Sequence, residues 1–155
     1  MWYNSLIKKR NRDRCVSMKY DGLSMEERRN LLEFIASRKD NIDAVVAQLT
    51  MALGFRSKLF GSLYLRKSVA LYYKLPRCFR GCLSNEIYPA VAAEFNTTVK
   101  RVEKDIRTAI QSAYDNGTLF RFNELTGVSF ISESYCPTNS EFIACISTWL
   151  HIVIG

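Results

Sequence analysis

From Val99 to Ala113 the apolar side chains recur at the spacing of one helix face: Val99, Val102, Ile106, Ala109, Ile110 and Ala113. Lys100, Arg101, Lys104, Arg107, Thr108 and Gln111 fall on the other side, at about 100° per residue. Thr97 or Thr98 can cap the start by accepting a hydrogen bond from a first-turn N–H. Asn116 and Gly117 tolerate the left-handed turn that ends a helix. Glu103 sits near the seam, four residues before Arg107 and in the order that supports a helix; Asp105 flanks the basic face on its far edge. The plainest reading of such a face is a solvated one laced with ion pairs.

The same periodicity recurs along most of the chain. SMEERRNLLEFIASRK has capping-box spacing at Ser24 and Glu27 and a partial apolar face of Leu31, Phe34 and Ile35. In DNIDAVVAQLTMALG, Asp40 or Asn41 caps, Ile42, Val45, Val46, Leu49 and Leu53 form the stripe, and Gly54 stops the helix. GSLYLRKSVALYYKLP carries Leu65, Val69 and Tyr72 on one side and ends at Pro76. A short helix with Ile87, Val91 and Phe95 follows, with Ser84 as its predicted cap and Pro89 early, where a helix tolerates it. Asn96 makes a turn, and the Thr97 helix begins almost at once. Two helices, a tight corner and a basic outer face on the second form a helix-turn-helix pattern, with the small Ala92 suited to close packing. Beyond it, TLFRFNELTG predicts a short helix and GVSFISESYC a strand-like or irregular connection. PTNSEFIACISTWLHIVI predicts an apolar helix starting near Asn139 or Ser140. The fold class is all-α. Residues 1–39 divide off as a basic arm with an extra N-terminal helix, and 40–155 as the main domain.

Charge changes the reading of the basic face. The 155-residue chain, 48% hydrophobic, can bury one core, and its net charge of +7 favours a polyanionic partner. Residues 1–20 hold six Lys/Arg against one Asp, and residues 56–82 hold seven with no acid. MWYNSLIKKR places its charges after its apolar residues, the wrong order for secretion. Phe142 to Ile154 is too short and too interrupted to span a bilayer, so cytoplasmic, nucleoid-associated placement is expected. Five cysteines without a secretory signal predict free thiols. Cys78 and Cys82 are three residues apart rather than two, with no second tight pair, which argues against zinc even with His151 in view. There is no nucleophile elbow, phosphate-cradling glycine loop or paired-carboxylate signature. No enzyme, cofactor or metal is therefore predicted.

Three ordered blocks, GSLYLRKSV (61–69), IYPAVAAEFNTTVKRVEKDIRTAI (87–110) and PTNSEFIA (137–144), resemble the C-terminal effector domain of the stage-zero sporulation protein A family of response regulators. The resemblance covers roughly residues 40–150. It implies a six-helix-type bundle that binds double-stranded DNA, with the helix at about 97–116 in the major groove reading boxes of the TGTCGAA type, often as two domains in tandem. Arg101, Glu103 and Arg107 keep the family's residue type. Lys100 and Lys104 depart from it, and lysine lacks arginine's planar fork. Arg101 is the residue chemically suited to guanine O6 and N7, and Glu103 to a cytosine amino group. Lys100, Lys104, Arg107 and Thr108 would divide between base edges and phosphates, and Thr97 and Thr98 would offer hydroxyls and first-turn N–H groups to phosphate. Arg66, Lys67, Arg77 and Arg80 add expected phosphate contacts. The family's receiver domain has no room in the residues before the match, so its phosphorylation switch is expected to be absent. Gly117 to Gly127 corresponds in position to the family's polymerase-contacting surface, which makes a sigma subunit a further expected partner. The competing class is an interaction protein that modulates a full-length regulator without binding DNA. It should lack the salt-dependent DNA affinity that phosphate contacts impose.

Overall fold

The computed structural model describes residues 22–75 and 83–155. The basic arm, Pro76, Arg77, Arg80, Cys15, Cys78 and Cys82 lie outside the described residues. The described chain is all-helical: α1 Met25–Ser37, α2 Ile42–Ala52, α3 Phe60–Lys74, α4 Tyr88–Glu94, α5 Val99–Asp115, α6 Arg121–Thr126 and α7 Asn139–Ile154. That is the six-helix-type bundle with one extra N-terminal helix. The only strand-type pairing among the described residues is an isolated bridge between Ser132 and Tyr135, inside the connection from α6 to α7.

Helix boundaries follow local chemistry. Ser24 accepts from the Glu27 N–H at 3.1 Å while the Glu27 carboxylate accepts from the Ser24 N–H at 2.8 Å, the reciprocal pair of a capping box. The bond from the Ser24 N–H, and then the Ser24 hydroxyl beside it, hold the Glu27 carboxyl below its usual pKa. Asn41, rather than Asp40, caps α2 through the Ala44 N–H. Gly54 ends α2 at φ +84°. Thr138 caps α7, so Asn139 and Ser140 lie inside that helix.

One expected cap is replaced by different geometry. Ser84 does not cap α4; it lies exposed in a π-type turn, Leu83–Ile87, that runs directly into α4 and buries Leu83 and Ile87. Pro89 has no N–H for the carbonyl of residue 85, and its ring crowds that carbonyl. A wider turn accommodates both.

Helix α3 is the centre of the bundle and packs against α2, α4, α5 and α7. Leu65 and Val69 of α3 are fully buried with Val45, Val46 and Leu49 of α2, Val91 of α4, and Val102, Ile106 and Ile110 of α5. Phe122 of α6 ties the far end together, with ring centroids 6.3 Å from Phe142 and 5.9 Å from Trp149 of α7. The extra helix α1 docks on this end. It buries Leu31 and Ile35, and Arg28 Nε donates to the Leu125 carbonyl at 3.2 Å. The Leu23 N–H donates to the Glu124 carboxylate at 2.7 Å.

The crossing of α3 over α5 is unusually close. A Cβ on Gly61 would overlap the Asp105 carbonyl oxygen and lie 3.2 Å from the Ala109 Cβ. Glycine lets the two backbones meet there. Gly61→Ala should therefore destabilise the domain by about 1–3 kcal/mol, as overpacking does, measured by urea unfolding. An unchanged midpoint would mean that the two helices can part without cost.

Candidate nucleic-acid interface

Helix α4 ends at Phe95, and the chain reverses at Asn96, whose φ of +50° is the one positive value at a non-glycine residue among the described residues. Asparagine accepts this left-handed conformation better than most residues. The Thr97 N–H bonds back to the Ala92 carbonyl at 2.9 Å and closes the corner. Thr98 then caps α5 by accepting from the Arg101 N–H at 3.2 Å. Phe95 packs edge-on against Tyr64 of α3, centroids 5.2 Å apart. The corner between α4 and α5 is thus fixed by a turn, a cap and an aromatic buttress.

The two sides of α5 separate as the periodicity requires. Val102, Ile106, Ile110 and Ala113 are buried, with Val99 and Ala109 partly so. Thr98, Lys100, Arg101, Lys104, Arg107, Thr108 and Gln111 are exposed, while Thr97, Glu103 and Asp105 are half-buried. The exposed groups are not equally available. Arg107 Nη2 donates to Glu103 Oε1 at 2.9 Å, so these two form the expected pair. The Thr108 hydroxyl donates to the Lys104 carbonyl at 3.0 Å, and Gln111 donates to Asp115 at 2.9 Å. Among the described residues, no carboxylate pairs with Lys100, Arg101 or Lys104.

These cations also sit against the helix dipole. The first turn of α5 holds no acidic residue. Lys100 and Arg101 stand beside the positive end of the helix, where a cation is disfavoured and an anion stabilised. In the free protein this arrangement costs a little stability, and a bound phosphate reverses the sign.

The further predicted contacts divide. Arg66 is half-buried; its Nε donates to the Thr50 hydroxyl at 3.1 Å and its Nη2 is buried without a partner. Burial lowers its pKa. Lys67 pairs with Glu94 of α4 at 3.1 Å. Arg66 and Lys67 therefore brace α3 against α2 and α4. Arg77 and Arg80 lie outside the described residues. One side chain that periodicity does not single out grips α5 from outside it. Asn139 Nδ2 donates to the Glu103 carbonyl at 2.9 Å. No short motif marks that pairing, which joins residues 36 apart in the chain.

Among the described residues no group of three or more His, Cys, Asp or Glu could hold a metal, and no helix is long and apolar enough to cross a membrane. Burial pushes the thiols of Cys136 and Cys145 up to about 11. His151 stacks on Tyr73, centroids 4.0 Å apart, and its Nε2 lies 3.1 Å from the Tyr73 carbonyl, so it packs α7 against α3.

A helical bundle that presents a helix with one cationic face after a tight corner is compatible with an α-helical DNA-binding domain. Residues 46–150 match the family described as Sporulation initiation factor Spo0A C terminal. The chain belongs to that family, whose members are DNA-binding effector domains of sporulation regulators and not enzymes.

The Thr98 cap sets where α5 begins. Thr98→Ala should cost about 1 kcal/mol of stability in chemical denaturation, the usual value of such a cap. Thr98→Ser should restore most of it. Equal midpoints for all three proteins would mean that the corner, and not the hydroxyl, fixes the start of α5.

Proposed function

We propose that this protein is a sequence-specific double-stranded DNA-binding transcriptional regulator and that α4 and α5 act as its helix-turn-helix. The observation that carries the reading is the set of Lys100, Arg101 and Lys104: exposed, on one face of α5, and without carboxylate partners among the described residues. Helix α5 enters the major groove. Arg101 reads guanine through its two-pronged guanidinium. Lys100 and Lys104 supply charge to phosphates and base edges, and Thr97 and Thr98 meet phosphate at the helix start. Glu103 and Arg107 exchange their mutual ion pair for base contacts. An exposed pair of this kind is worth about 0.5 kcal/mol or less, so the exchange is cheap. The hydroxyl of Thr108 is engaged with its own helix, which makes it the least available of the predicted contacts.

Two domains bound in tandem, and contact with a polymerase sigma subunit, belong to the same reading as expectations from the family resemblance. In the segment from Gly117 to Gly127, Leu119, Phe122 and Leu125 are buried, and Arg121 Nη1 donates to the Ala52 carbonyl at 3.1 Å. Asn123 holds Ile131 through paired 2.8 Å bonds. A sigma contact would therefore use the remaining side chains of this segment.

The test is fluorescence anisotropy with a duplex carrying tandem TGTCGAA-type boxes and with a scrambled duplex, each at several salt concentrations. Tight, box-selective binding that falls steeply with salt is the expected result. Arg101→Ala should cost about 1–3 kcal/mol on the box duplex and relax its preference. Equal binding by variant and parent would reject Arg101 as a base-reading residue. Absence of binding to either duplex would favour the interaction-protein reading instead.

A further inference from the structure

Helix α5 is gripped from two sides by contacts of different kinds. On one side Gly61 of α3 meets the Asp105 backbone. On the other, the Asn139 amide donates to the Glu103 carbonyl at 2.9 Å. Residues 103 and 105 are about 200° apart around a helix, so the two contacts straddle it. The exposed cations project from the arc between them. The Gly61 contact is steric: it sets how closely α5 approaches and leaves rotation about the helix axis weakly constrained. A hydrogen bond is directional and adds to the rotational constraint that the buried stripe of α5 supplies.

The amide itself is enclosed. Asn139 is 7% exposed, and Tyr88 beside it is 3% exposed. A buried amide is costly unless bonded, and asparagine is a poor helix former. An apolar side chain at the first position of α7 would pack without that cost. The Glu103 carbonyl has a second lone pair beyond the one used in the helix ladder, so the added bond need not break the helix. Two elements, α7 and α5, are joined through one polar contact, from Asn139 to Glu103.

We propose that Asn139 is a positioning residue for DNA reading: its buried amide sets the rotation of α5 through the Glu103 carbonyl. The carbonyl belongs to the residue whose side chain pairs with Arg107, so a turn of the helix at Glu103 moves Glu103 and Arg107 together and swings Arg101 out of register. Contacts to phosphate tolerate such a turn, because flexible lysines follow the backbone of the duplex. Contacts to base edges do not. This assignment rests on the DNA-reading role of α5 proposed above.

The experiment compares the 155-residue chain with its Asn139→Leu and Asn139→Ala variants on the tandem-box and scrambled duplexes, with thermal unfolding of each variant alongside. The expected result for Asn139→Leu is a fall of about tenfold in the ratio of box to scrambled affinity, the order of one base contact. Affinity for the scrambled duplex and its salt slope should be unchanged. Asn139→Ala, which also lacks the donor, should lower the ratio in the same direction. A ratio unchanged in both variants, or equal losses on both duplexes, would overturn the assignment and leave Asn139 a purely structural residue. If Asn139→Leu does not fold, Asn139→Ala decides: an unchanged ratio there overturns the proposal. Failure of the parent protein to prefer the boxes is read in the parent alone; it removes the box-reading role and the positioning role with it.

Discussion

Gly61 touches the Asp105 backbone because neither partner places a side chain between the two helices. The rest of α5 is arranged around that approach. With the axes this close, Val102, Ile106 and Ile110 reach the buried side chains of α3, and the opposite surface of α5 is pushed outward. Any side chain at position 61 would lift α5 and open the interior beneath it. The surface that carries Lys100, Arg101 and Lys104 is thus bounded by a contact at the edge of the same exposed arc.

The electrostatics of α5 run against its own stability. Cations in the first turn oppose the helix dipole, and the nearest carboxylates, Glu103 and Asp105, are half-buried at the edges of the exposed arc. Natural helices usually place acids at that end. The helix is kept by its buried stripe and its threonine cap, which hold it in a form that its charges alone would not favour. Such local conflict within a well-packed fold is a common mark of a functional surface.

Much of this was legible in the chain because it is local. Ser24, Asn41, Asn96 and Thr98 act within a few residues of themselves, and each stands where turn and capping chemistry predicts. The α5 stripe is legible for the same reason. What the sequence hides is distant or cooperative. The link from Asn139 to Glu103 crosses 36 positions and has no periodic signature. Arg66 and Lys67 look like free cations in a segment without acids, yet their partners, Thr50 and Glu94, come from other helices. The π-type turn at Leu83–Ile87 reflects a proline whose effect on the preceding turn depends on how Leu83 and Ile87 are buried, which a capping rule does not weigh.

The division of α5 into a buried stripe and an exposed arc has a consequence for how such a domain can change over generations. The fold depends on Val102, Ile106, Ile110 and Ala113, and it asks almost nothing of residues 100, 101 and 104. Substitutions at those three positions are nearly invisible to the core. Altered binding preference can therefore arise by single steps through stable, foldable intermediates, so that the scaffold is inherited while its recognition surface diverges.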